Sequence, residues 1–136
     1  MKKKILLPLD GSDRDLIEVN FIKENFNPEK TEVILLNVGE IVYVEESVVA
    51  KLIMSEQENS SKILERAKQN LKGFQCIKKF QFGYADNIIL ECADKFNVDI
   101  IVIAKNTKKK FVQFVGSVTS KVIKRAKCSV VMLPQV

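Results

Sequence analysis

An uninterrupted apolar run from Ile100 to Ala104 constrains the fold of this chain more than any other stretch. Its residues are mostly β-branched, as in a parallel strand that is buried on both faces of a sheet. A polar segment follows, and the sequence predicts that a helix begins at Gly116-Ser117. Glycine lacks a Cβ, and the free N–H groups of a helix N-terminus favour anions. If the chain binds a nucleotide, we therefore expect its phosphates to lie at this helix start.

Strand and helix patterns alternate along the rest of the chain. Further strands are predicted at Lys3 to Leu9, Glu32 to Val38, Cys76 to Phe82 and Ser129 to Pro134. Four helices are predicted from apolar residues at helical spacing, namely Leu16, Val19, Ile22 and Phe26, then Val48, Leu52, Ile63, Leu64, Ala67 and Leu71, then Ile89, Ala93 and Phe96, and finally Val118, Val122, Ile123 and Ala126. The polar residues 55–61 indicate either a break in the second helix or a solvated stretch of it.

Several polar residues are placed to begin or end these helices. Ser12 with Asp15 three residues later resembles a capping box at the start of the first helix. Asp86 can cap the third helix, and Asn97 can adopt the left-handed conformation that ends it. Each helix is thus bounded where the periodic pattern begins or stops.

The element order βαβαβαβαβ predicts an α/β fold. The simplest arrangement is a three-layer sandwich with a five-stranded, mostly parallel sheet in the Rossmann-like strand order 3-2-1-4-5. The 136 residues, 46% of them hydrophobic, suit a single domain over residues 1–136.

Composition excludes several classes of function. Histidine is absent, which excludes triad hydrolysis and histidine-based metal sites, and we predict no metal site. Cys76, Cys92 and Cys128 lack the paired spacing of a zinc or redox motif. No segment approaches the roughly 20 apolar residues of a membrane span, and the N-terminal apolar run stops too early for a signal peptide. We therefore expect a cytoplasmic protein without a membrane partner.

The predicted strand order places a ligand pocket at the carboxyl ends of strands 1 and 4, where the order reverses. These ends are Pro8-Leu9-Asp10 and Ile103-Ala104, with Val38 ending strand 2 alongside. Val38 and Ile103 can enclose a flat base, and Asp10 can accept a hydrogen bond from an exocyclic amine or a ribose hydroxyl. The phosphates are then expected at the helix start, on Gly116, Ser117, Val118 and Thr119.

Six segments together carry a resemblance to a known family. They are Leu6-Leu7-Pro8-Leu9-Asp10-Gly11-Ser12, Leu35-Leu36-Asn37-Val38, Gly83-Tyr84-Ala85, Asp99-Ile-Ile-Val-Ile, Gly116-Ser117-Val118 and Ala126-Lys127-Cys128-Ser129-Val130-Val131. In this order and spacing they resemble the universal stress protein family over essentially the whole chain. The resemblance implies an adenine nucleotide alpha hydrolase-like fold, a homodimer, and membership of either the ATP-binding or the non-binding group of the family.

A glycine loop after strand 4 separates those two groups, and this sequence departs from it. With Ala104 at the first glycine position, Thr107 takes the second; with Asn106 at the second, the first falls on Ile103. A Cβ at these positions takes space that a triphosphate would need. We expect weak or absent ATP binding, no certain cofactor, and Mg²⁺ only together with a bound ATP or other adenine nucleotide. Catalysis is not expected beyond slow nucleotide hydrolysis.

Other functions are open at this point. An ATP-dependent switch with slow hydrolysis is the nearest alternative. A receiver domain is suggested by the predicted strand order and by Asp10 and Asp13, but Gln81-Phe82-Gly83 offers no acceptor aspartate at the end of strand 3. Nucleic-acid binding is suggested only by the net charge of +5 and is ranked last. Asp10-Gly11-Ser12 can also be only a turn and helix cap, and Gly116-Ser117 only a helix start.

The apolar run in the final strand predicts a homodimer. In the order 3-2-1-4-5 the fifth strand, Ser129 to Leu133, lies at an edge of the sheet. Exposed edges of this kind pair with other chains. A twofold axis would make the two copies of the strand antiparallel.

Overall fold

The computed structural model describes residues 1–39, 46–105 and 117–134, with side chains described for 1–39, 53–105 and 117–134. The strands are β1 (Lys3–Leu9), β2 (Thr31–Gly39), β3 (Gln75–Phe82), β4 (Ile100–Ala104) and β5 (Ser129–Leu133). The helices are α1 (Arg14–Asn25), α2 (Glu46–Asn70), α3 (Ala85–Lys95) and α4 (Ser117–Arg125), with a short 3₁₀ turn at Pro28–Lys30.

All five strands are parallel, in the order β3-β2-β1-β4-β5. The predicted fold class and strand order are therefore confirmed. The order differs from the flavodoxin-like order 2-1-3-4-5 that response-regulator receivers adopt. Residues at the end of β3 also include no aspartate, so both topology and sequence argue against a receiver domain.

Two apolar layers hold the sheet between its helices. Alternate residues of each buried strand point to opposite faces, which explains why the central runs are continuously apolar. From β1, Ile5, Leu7 and Leu9 pack with α1 and α2, whereas Leu6 packs with α3 and α4. Leu6 and Leu7 are both fully buried, as a central strand of a three-layer fold requires.

Three local predictions are corrected or resolved. Helix α2 is continuous, so the polar residues 55–61 are part of a helix, with 55–59 exposed. Leu16, expected on the apolar face of α1, is 55% exposed, and Glu18 takes an inward position instead. Asp86 does not cap α3: the helix begins at Ala85 without a side-chain cap, and Asp86 lies buried inside its first turn.

The end of α3 agrees with the prediction made from the sequence. Asn97 has a positive φ of 51°, as predicted for the residue that ends this helix. Among the helices of the described residues, none is both long and apolar enough to cross a membrane.

Candidate functional site

A cleft opens where β1 and β4 separate. Strand β1 pairs with β2 along its whole length, up to Leu9 with Asn37, but with β4 only at Ile5 with Ile100 and Leu6 with Ile101. Beyond these two pairs the strands diverge, and the resulting cleft has a volume of about 670 Å³. It lies at the carboxyl ends of the strands, at the point where the strand order reverses.

The cleft has two walls, which differ in the elements that build them. The α1 wall consists of Asp10, Arg14 and Glu18. The α3–α4 wall consists of Gly83, Tyr84, Ala85 and Asp86 from the start of α3 and Ser117, Val118 and Thr119 from the start of α4. The first residues of α1, α3 and α4 thus all line the cleft, and a helix N-terminus carries partial positive charge.

Most of the residues proposed from the sequence meet in this cleft. Nine of them line it, namely Pro8, Leu9, Asp10, Val38, Ile103, Ala104, Ser117, Val118 and Thr119. The other three, Asn106, Thr107 and Gly116, lie outside the described residues. The structure therefore brings the expected strand ends and the start of α4 to one place.

Asp10 organises the turn between β1 and α1. Its Oδ1 accepts hydrogen bonds from the Ser12 N–H at 2.9 Å and the Ser12 hydroxyl at 2.5 Å, and its Oδ2 pairs with the Arg14 guanidinium. Gly11 has a φ of 83°, which favours glycine in this turn. Asp10 therefore has the turn-forming role considered above, while its half-exposed side chain also faces the cleft.

Asp15 stabilises the same turn but is not among the residues that line the cleft. Its carboxylate accepts hydrogen bonds from the backbone N–H groups of Asp10, at 3.0 Å, and Gly11, at 2.8 Å. Burial raises the pKa of Asp15 to about 6, against the lowering effect of the Gly11 N–H bond and of Arg14 and Arg66. The capping box predicted for Ser12 and Asp15 is not formed, because α1 begins at Arg14 after Asp13 without a side-chain cap, and Asp15 accepts from the N–H groups of Asp10 and Gly11 instead.

Glu18 is one of the cleft residues that sequence reasoning missed; the others are Arg14, Leu36, Gly83, Tyr84, Ala85, Asp86 and Ile89. It is only 3% exposed, and its Oε2 accepts a hydrogen bond from the Ala104 N–H at 3.0 Å. Its Oε1 is buried and has no hydrogen-bond partner among the residues that the structure describes. Desolvation raises the pKa of Glu18 well above its ordinary value, and the neighbouring Asp15 adds to this. The available signal was its position one helical turn before the apolar Ile22, on the inward face of α1.

The α3–α4 wall has a different polar pair. Asp86 is buried, and its Oδ2 lies 3.5 Å from Nζ of the exposed Lys121 on α4. Gly83 has a φ of 154°, and its N–H donates to the Gly39 carbonyl at 3.0 Å. Tyr84 is 64% exposed at the cleft. This wall therefore offers an aromatic ring and one paired carboxylate.

Asn37 links the ends of β1 and β2 beside the cleft. It is buried at the end of β2, and its side-chain amide donates to the Leu9 carbonyl at 2.7 Å. Within residues 1–39, 53–105 and 117–134, no group of three or more acidic, cysteine or histidine side chains is arranged to hold a metal ion. The cleft of the described residues thus presents hydrogen-bonding groups and apolar surface to a ligand.

Comparison with known proteins gives a consistent result. Residues 1–134 match the model of the Universal stress protein family. A search of curated proteins found no significant match. Universal stress protein UspA from Lactobacillus plantarum is similar in fold, with a TM-score of 0.79 and 21% identity over 96% of this chain and 97% of that one.

The similar structures include complexes with a nucleotide. A universal stress protein family protein from Arabidopsis thaliana with AMP bound has a TM-score of 0.73 and 15% identity, over 98% of this chain and 92% of that one. A universal stress protein from Archaeoglobus fulgidus in complex with dAMP has a TM-score of 0.66 and 20% identity, over 96% of each chain.

Proposed function

The chain belongs to the universal stress protein family, and we propose that it is a binding module of that family whose cleft takes up an adenine nucleotide without appreciable turnover. The observation that carries the proposal is the cleft at the split between β1 and β4. It combines apolar strand ends, side-chain carboxylates and the starts of three helices in about 670 Å³. Cavities of this size accommodate small-molecule ligands.

The cleft residues suit the parts of an adenine nucleotide. Val38 and Ile103 provide apolar surface for the base. Asp10 and Asp86 can accept hydrogen bonds from an exocyclic amine or a ribose hydroxyl. The start of α4 at Ser117 favours a phosphate. That two proteins of the same fold bind AMP and dAMP supports this class of ligand.

The described charges favour a monophosphate over a triphosphate. Among the cationic side chains that the structure describes, Arg14 lines the cleft but pairs with Asp10, and Lys121 pairs with Asp86. Neither provides free positive charge for three phosphates. In the alignment that places Ala104 at the first glycine position, its Cβ stands where the family's ATP-binding pattern has glycine, and its N–H already bonds to Glu18. We therefore propose that AMP binds more tightly than ATP.

Calorimetric titration with AMP, ATP and GMP, with and without Mg²⁺, tests this function. We expect AMP to bind, ATP to bind more weakly, and Mg²⁺ to make little difference to AMP. Asp10→Ala should weaken AMP binding, since it removes a carboxylate from the cleft. Asp13→Ala is the matched control, because Asp13 is an exposed aspartate of the same turn that does not line the cleft. No binding of any adenine nucleotide would contradict the proposal.

We also propose that the protein forms a homodimer through β5. This strand is the edge of the sheet next to β4, so one side of it has no strand partner among the described residues. Its Val130 and Val131 are half-buried against opposite apolar layers. Antiparallel pairing with a second copy would satisfy the open backbone groups.

Light scattering on the purified protein tests the dimer. Val131→Lys should shift the mass from dimer to monomer, because it places a charge in the paired strand. Leu16→Lys is the control, since it introduces the same charge at an exposed apolar residue of α1, away from β5. Circular dichroism should show that both variants are folded. A wild-type monomer at high concentration, or a folded Val131→Lys dimer, would contradict the proposal.

A further inference from the structure

Glu18 lies in the split between the two strands that form the cleft. Successive N–H groups of a strand point to opposite neighbours, and the Lys105 N–H donates to Leu133 of β5 at 2.8 Å. The Ala104 N–H therefore points towards β1, where strand pairing has already ended after Leu6 and Ile101. Glu18 reaches from α1 and supplies the missing acceptor at 3.0 Å.

The second oxygen of this carboxyl has no comparable partner. Oε1 of Glu18 is buried, and none of the described residues hydrogen-bonds to it. A buried polar atom without a partner costs free energy, and such atoms are uncommon in folded proteins. Glu18 lines the cleft, so a molecule bound there can supply a partner. This unpaired atom, together with the cleft, indicates that Glu18 contacts a ligand.

The surroundings determine the chemical form of the group. Burial favours the neutral acid over the carboxylate, Asp15 favours it further, and Arg14 opposes it. Since Oε2 accepts from the Ala104 N–H, the proton belongs on Oε1. The other charged groups that line the cleft are Asp10, paired with Arg14, and Asp86, paired with Lys121. Glu18 thus presents an O–H donor.

We propose that Glu18 is a ligand-binding residue, whose Oε1–H donates a hydrogen bond to an acceptor atom in the base or ribose of the bound adenine nucleotide. This inference rests on the proposed function. The base or ribose is favoured over the phosphate because Glu18 lies at the divergence of β1 and β4, whereas the start of α4, to which the proposed function assigns the phosphate, is on the opposite wall. Neutral carboxylic acids act as hydrogen-bond donors in apolar sites of other proteins.

Ligand binding should then depend on protonation of Glu18. Raising the pH removes the donor, and an ionised carboxylate would face the acceptor atom of the ligand. Each pH unit above the pKa of Glu18 lowers the protonated fraction about tenfold. Asp15, with a pKa of about 6, is already ionised above neutral pH and does not contribute to this change. Affinity should therefore fall as the pH rises through the pKa of Glu18.

Titration calorimetry with adenosine and AMP at about pH 7 and about pH 9 tests the proposal. The phosphate of AMP changes its charge near pH 6, and adenosine has no phosphate, so the affinity for adenosine is not affected by that titration. We expect wild-type affinity for both ligands to fall between these two pH values. Glu18→Gln keeps the shape and an N–H donor, and should bind equally at both pH values. Glu18→Leu should bind weakly at both, with circular dichroism confirming that each variant is folded.

The outcomes separate this proposal from the proposed function. Nucleotide binding with the same pH profile in wild type and Glu18→Gln would overturn the role of Glu18 and leave the function intact. Tighter wild-type binding at higher pH would also overturn it, because the carboxylate would then be accepting from the ligand. A pH effect confined to AMP would overturn the assignment to base or ribose. Absence of binding by adenosine and AMP at every pH would overturn both proposals.

Discussion

The two walls of the cleft differ in how their polar groups are satisfied. On the α1 wall, Asp10 and Glu18 bond to backbone N–H groups, as does Asp15 behind them, although Asp10 also pairs with the Arg14 side chain. On the α3–α4 wall, Asp86 pairs with a lysine side chain instead. Backbone partners are fixed in position, whereas a long lysine side chain can move. We therefore expect the side chains of the α1 wall to be fixed in position, with hydrogen bonding that depends on the protonation of Glu18 and of Asp15 behind it. On the α3–α4 wall, the lysine partner of Asp86 can move.

The largest expected effect comes from the glycines that shape each wall. A Cβ at Gly83 would lie 2.8 Å from two side-chain atoms of the buried Ile88, and the φ of 154° disfavours any other residue. Gly83→Val should lower the free energy of unfolding by about 3 kcal/mol. Gly11→Ala, with a Cβ 2.9 Å from Ile63 and a φ of 83°, should cost about 1–2 kcal/mol. Urea denaturation measures both.

Ala85→Val provides the control for Gly83→Val. It adds bulk to the same wall at a helical residue, and should cost less than about 1 kcal/mol. Equal destabilisation by Gly83→Val and Ala85→Val would show that the backbone of Gly83 imposes no special constraint on the α3–α4 wall.

The sequence predicts the strands and helices that build both walls, because these elements follow from the spacing of apolar residues. Continuous apolar runs such as Ile100–Ala104 indicate strands buried on both faces, and five strands alternating with helices leave few topologies. Once the strand order is known, the strand ends must meet, so Asp10 and Ile103 could be placed at one cleft without coordinates.

The burial and partners of the polar side chains cannot be predicted from the sequence, because they depend on which face of each helix packs against the sheet. Leu16 and Glu18 are two residues apart on α1, and polarity alone predicts that Leu16 is buried. The structure reverses this, since the split between β1 and β4 leaves the Ala104 N–H in need of an acceptor. The role of Asp86 differs from the predicted helix cap because its ion-pair partner, Lys121, is distant in sequence.

A smaller effect is expected from the titration of Asp15. Its pKa of about 6 in the folded protein lies above the ordinary aspartate value, so the folded protein holds this proton more tightly than the unfolded chain. The contribution to stability is therefore present below about pH 4 and is lost as the pH rises to about 6. We expect a loss of about 1 kcal/mol, less than the pKa shift alone implies, because the carboxyl retains contact with water.

Thermal or urea unfolding of wild type and Asp15→Asn from pH 4 to 7 checks this prediction. The variant loses one backbone hydrogen bond and should be less stable throughout, but its stability should fall less between about pH 4 and about pH 6. The difference between the two pH profiles is the measurement. Parallel profiles would mean that the α1 wall does not take up a proton at Asp15.

The smallest effect is expected for the ion pair on the opposite wall. Asp86 and Lys121 are 3.5 Å apart, and the lysine side chain is 55% exposed, so water and salt screen their attraction. A double-mutant cycle with Asp86→Asn and Lys121→Met should give a coupling of about 0.5 kcal/mol, which falls towards zero at high salt. Because this pair contributes little, Asp86 can exchange its lysine for a ligand amine or hydroxyl at small cost. A coupling several times larger that persists at high salt would show that the α3–α4 wall is as fixed as the α1 wall.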